Sequence, residues 1–123
     1  NGPYTTAVNT EFAKAHPEIV VAWLRAAIRA GQWINANRRA AADIFARVTT
    51  YGDAAQIASL IAHFDFVPSL SPQNLAGLTI QKDFLRSHGY VSNNLVIEKW
   101  ADSRYLDEAH ASLRAETLLR KVA

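Results

Sequence analysis

HPEIVVAWLRAAIRAGQWINAN, residues 16–37, decides how this chain is read. Pro17 suits the first position of a helix, and Glu18 beside it complements the positive end of the helix dipole. The stretch therefore predicts a long helix from Pro17 to about Ala36. At about 100° per residue, Ile19, Val20, Trp23, Leu24, Ala27, Ala30, Gly31 and Ile34 share an arc of roughly 140°. Glu18, Arg25, Arg29 and Gln32 fall opposite. That arc is wide enough to pack on a core. Trp23 lies inside it and is expected to be core. Trp33 lies at its edge beside Ala22 and Ala26, and is expected to be a partly buried packing residue.

The pattern continues in both directions. YTTAVN, residues 4–9, is short, rich in β-branched residues and preceded by a turn, and so predicts a strand. Thr10 with Glu11 predicts an N-cap and a short helix to Ala15, which Pro17 ends. After Asn35 and Asn37, Arg38–Thr49 predicts a second long helix with Ala41, Ile44, Phe45 and Val48 on one side. Tyr51-Gly52 stops it. Asp53 caps a further helix to about Phe64, with Ile57, Leu60 and Ile61 inward. FDFVPSL, residues 64–70, breaks the helical period and reads as an extended loop.

Ser71-Pro72 opens the next helix, which ends at His88 with Gly89 beyond it. Its arc holds Gly77, Leu78, Ile80, Phe84 and Leu85, with Gln81 and His88 among them. Tyr90–Leu95 is a loop and Val96–Trp100 a short helical or extended element. Asp102 caps a last helix with Leu106, Ala109, Leu113 and Thr117 in a stripe. Leu118, Leu119 and Val122 fall off that stripe, in a tail helix over 110–123. The sum is a mainly α chain of about six helices and one short strand. A lone strand cannot satisfy its own hydrogen bonds. With no Met anywhere and Asn1 first, the chain is expected to be one segment, 1–123, of something longer, its signal peptide absent.

The 123 residues are half hydrophobic, enough for a real core. Thirteen basic against eleven acidic residues give +2, a small excess that does not build a nucleic-acid surface. With no cysteine, disulfides and thiolate metal sites are excluded. His16, His63, His88 and His110 lack the three-to-five spacing of a zinc helix motif. His63 and Asp65 flank one residue and read as a capping or surface pair. There is no P-loop, dinucleotide fingerprint or nucleophile elbow. Asp107 and Glu108 diverge on a helix and form no acid–base pair. No catalytic residue and no cofactor are expected. AADIFARVTTYGDAAQIASLIAHF, residues 41–64, imitates a helix-turn-helix. Its second helix offers Gln56, Ser59 and His63 but no Arg or Lys, so phosphate neutralisation is missing.

Taken in order, these segments resemble the C-terminal portion of ABC-importer substrate-binding proteins of the nitrate, sulfonate, taurine and thiamine-precursor group. The resemblance is carried by TTAVNTEFAKAHPEIVVAWLRAAIRAGQWINAN and AAADIF, then by LSPQNLAGLTIQKDFLRSHGYV with Gln81, Asp83 and Gly89. Tyr105, Leu106 and Ala109 close it, so it spans roughly residues 4–110. It implies the end of a two-lobed α/β fold of the type II periplasmic-binding-protein kind. YTTAVN would be a strand near the hinge, and the helices would pack on a sheet formed by upstream sequence. The implied role is non-catalytic binding of a small anionic solute of the nitrate or sulfonate kind, between lobes that close over it. ABC permease subunits of the inner membrane would be the partner, in a bacterial periplasm or at a cell surface. No nucleic acid is implied, and an isolated segment could self-associate. Tyr4 and Thr5, near the hinge, and Phe64 and Phe66, in the loop, are the candidate ligand contacts. Arg38 and Arg39 read as a solvated face. The alternative is an independent helical interaction or DNA-binding domain. A third option is an enzyme of the thiamine-pyrimidine synthesis type.

Overall fold

A computed structural model of the protein describes residues 4–123. They hold seven helices: α1 Thr10–Ala15, α2 Pro17–Ala36, α3 Arg38–Val48, α4 Ala54–Ile61, α5 Pro72–Ser87, α6 Ile97–Trp100 and α7 Arg104–Val122. The mainly α reading holds. The expected strand at 4–9 does not form: the segment is exposed, and the described residues contain no strand at all. β-branched composition favours extended backbone, but a strand exists only where a second strand accepts and donates its hydrogen bonds. The two tight units are the chain up to Ala22 together with Ser69–Ala123, and Trp23–Pro68.

In the Trp23–Pro68 unit, α3 lies on α4. Ala41 and Ala42 present almost no side chain, which lets Ile57 and Ile61 pack against the α3 backbone. Ile34, Phe45, Ala58 and Phe66 close around this cluster. Asp53 caps α4 as expected, accepting from Gln56 N at 2.8 Å, while Gln56 Oε1 accepts from Asp53 N at 3.2 Å. This reciprocal box satisfies two of the amides that a helix start leaves over. Gly52, at φ +146°, makes the preceding turn with backbone open to few other residues. α4 ends at Ile61, three residues before the expected Phe64.

The buried face of α2 overlaps the expected one only in part: Val20 and Gly31 belong to both, Val21 and Ile28 only to the buried one. Ile28 is fully buried, and Val20, Val21 and Gly31 line the same side. Trp23 is 52 % exposed, so it is not core. The inward face is turned by about 70°, a fifth of a helical turn, from the arc read in the sequence. Gly31, which both faces share, is held inward by backbone. The segment after α4 crosses α2 there, so a Cβ on Gly31 would meet Phe66 C at 2.6 Å and Val67 N at 2.8 Å. Backbone against backbone fixes Gly31 as an inward position of α2.

The other unit buries Ala13, Val20, Val21, Ile97, Leu106 and Ala109. Its helix ends are well marked. Asn9, not Thr10, caps α1, accepting from Phe12 N at 3.0 Å. Ser71 accepts from Asn74 N at 3.2 Å, with Pro72 next in line. After α5, Gly89 adopts φ +76°; Tyr90 N donates to Leu85 O and Gly89 N to Arg86 O, the paired bonds of a left-handed helix stop. α5 turns Leu75, Leu78, Thr79, Lys82 and Leu85 to its half-buried side and leaves Ile80 and Phe84 exposed. The expected arc with Ile80 and Phe84 inward is therefore corrected. α5 carries apolar residues on two sides, and periodicity alone does not choose between them. Leu118, Leu119 and Val122 of α7 are exposed, opposite the Leu106, Ala109 and Leu113 stripe.

Candidate functional site

A connected polar arrangement lies where α2, α3 and the exit of α4 meet within the Trp23–Pro68 unit. Arg38, the first residue of α3, donates from Nη1 to Ile61 O at 2.6 Å and from Nη2 to Phe64 O at 2.7 Å. Ile61 ends α4, and its carbonyl also accepts from Phe64 N at 3.2 Å; the guanidinium fork joins it to the Phe64 carbonyl three residues beyond the helix end. Nη2 also reaches Asn35 Oδ1 at 3.3 Å. Asn35 Oδ1 accepts from Phe66 N at 3.2 Å, and Asn35 Nδ2 donates to Asp65 Oδ1 at 2.7 Å. Asp65 Oδ1 in turn accepts from Val67 N at 3.0 Å. A cation, an amide and a carboxylate thus hold residues 61–67 against α2 and α3.

The carboxyl of Asp65 sits below the usual carboxylate range. The Val67 N–H bond is the first cause, the Asn35 amide the second, and the Arg38 charge adds to them against a small effect of burial. At the start of α7, Asp102 accepts from Arg104 N at 3.1 Å and pairs with the Arg104 guanidinium at 2.6 Å. Its carboxyl is lowered too, chiefly by the side-chain bond to Arg104. Asp102 therefore caps α7 from one residue outside the Ser103 cap position.

Of the four candidate ligand contacts, the structure pairs two. The Phe64 and Phe66 rings lie 6.0 Å apart, tilted by 43°, both half-buried beside the Arg38 network. Tyr4, 88 % exposed, and Thr5 lie on the extended segment of the other unit. Arg38 corrects its reading as a solvated residue: it is half-buried and its fork is engaged by backbone carbonyls. Arg39 does face solvent and pairs with Asp43 at 3.7 Å. Asn35 was legible only as a helix break, whereas it is the bridge of the network. The one signal for it was an Asn-x-x-Arg spacing that puts both side chains on one side of a helical turn.

A second feature is an open groove of about 320 Å3 lined by Ala30, Trp33, Ile34, Ala41, Ile44, Phe45 and Val48. Trp33, expected as a partly buried packing residue, is 45 % exposed there and counts with Trp23 among the exposed apolar side chains. Ile44 and Val48, expected on the packed side of α3, form its outer lip. Ligand sites fix orientation with a few placed polar groups. This lining has none, so the groove has no means of holding an anion. Among the described residues, no group of three His, Cys, Asp or Glu side chains could hold a metal ion. No polar or charged side chain is buried among them either. Their helices include none long and apolar enough to cross a membrane.

Neither a family model, nor a curated protein, nor a solved structure matches this chain.

Proposed function

We propose that the chain is a helical part of the non-catalytic solute-binding component of an ABC importer. The solute would be a small anion of the nitrate, sulfonate or taurine kind, bound in a cleft to which this chain contributes the Phe64–Phe66 wall. The observation that carries the reading is the combination of spent polar groups and open apolar faces. Arg38, Asn35, Asp53, Ser71 and Asp102 are engaged in caps and the clamp. Meanwhile Trp23, Ile80, Phe84, Leu118 and Leu119 present apolar surface in both units. Such faces suit packing against further layers of a larger fold. In this reading, solute binding shifts an open–closed equilibrium, and the closed form docks on permease subunits of the inner membrane.

The helix-turn-helix reading has the shape of α3, turn and α4, but not the charge. α4 is AAQIASLI, Arg38 is committed, and Arg39 faces Asp43. α4 itself carries no Arg or Lys, so the second helix supplies no phosphate contact of its own.

Calorimetric titration of the native protein from its source tests the proposal, with nitrate, taurine and methanesulfonate as probes. Saturable binding of one of them, weakened about tenfold or more by Phe64→Ala with Phe66→Ala, is expected. Heat-silent titrations with all three, together with salt-sensitive retention on DNA, would overturn it in favour of a DNA-binding helical module.

A further inference from the structure

We draw no further inference here: the strongest candidate, the open apolar groove between α2 and α3 that Trp33, Ile44 and Val48 rim, is an unpartnered face, and nothing in the structure shows what covers it.

Discussion

The two units are held by different means. In Trp23–Pro68 the decisive bonds join residues far apart in sequence: Arg38 to Ile61 and Phe64, across 23 and 26 positions, and Asn35 to Asp65 and Phe66, across 30 and 31. They surround a core cluster shared by two helices. In the other unit the polar anchors described above are local: Asn9 to Phe12, Ser71 to Asn74, Asp102 to Arg104. α5, its longest helix after α7 and the shared α2, has no buried residue. Local caps fix where a helix begins and ends. Only long-range contacts fix which face it turns inward, and the rotation of α2 shows the consequence.

The comparison is easiest to break in the core. Ile57→Ala removes a buried side chain from the α3–α4 cluster and is expected to cost about 3 kcal/mol in urea unfolding. Hydrogen exchange should show α3 and α4 amides losing protection while α7 amides keep theirs. Equal loss in α7 would mean that both units unfold as one, and the contrast would be gone. Gly31→Ala comes next. In most helices that change stabilises by up to about 1 kcal/mol. Here the new methyl meets backbone atoms of Phe66 and Val67, so a loss of about 2 kcal/mol is expected instead. A rise in the melting temperature would show that the segment after α4 does not rest on α2.

Arg38→Met should cost about 1.5 kcal/mol, because it leaves the Ile61 and Phe64 carbonyls without their charged donor. Arg38→Lys should recover little of that, since a single ammonium cannot reproduce the fork. Full recovery by Lys would reduce the clamp to simple charge attraction. The smallest effect is acid sensitivity. Asp65 and Asp102 both have folded-state values below 3.8, so each adds stability that is in full above that value. That stability is lost as pH falls through the lowered values, because the unfolded state then binds protons first. Acid should thus loosen both units, but differently. As pH falls below 3.8, the protection of Val67 N, after correction for the intrinsic pH dependence of amide exchange, should decline in the native protein and stay unchanged in Asp65→Asn. The Arg104 amide should respond only to Asp102→Asn. A shared response at both amides would sharpen the picture toward one common acid transition.

Much of the architecture could be read from residues alone. Pro17, Asp53, Ser71-Pro72 and Gly89 marked helix ends to within a residue, because caps act over three or four positions. Ala41 and Phe45 of α3 and Ile57 with Ile61 of α4 were visible as core by period, but Ile44, Val48 and Leu60, read with them as inward, are exposed, and the buried Ala42 was not among them. What escaped was tertiary. Trp23 shares its arc with Gly31 and Val20, which are buried, while Ile28 and Val21, outside that arc, are buried and Trp23 is not; period alone does not place the centre of the inward face. Arg38 looked solvated because its partners are carbonyls, which every residue has and no sequence pattern reports. Asn35 was a break by composition and a bridge by position. YTTAVN had the composition of a strand without a strand to join. Of the candidate contacts, the nearness of Phe64 to Phe66 followed from their spacing, while the clamp that orders them did not.

Gly31 has one more consequence. Along α2 it is the one site between Ala30 and Gln32 where the helix surface dips to bare backbone, and Phe66 and Val67 sit in that dip. A slip of the segment by one residue in either direction would ride up onto a Cβ. The crossing thus works as a detent: it indexes the exit of α4 to a single step of α2. It does so with an absent side chain rather than a bond, so this contact itself involves no charge that pH or salt could weaken.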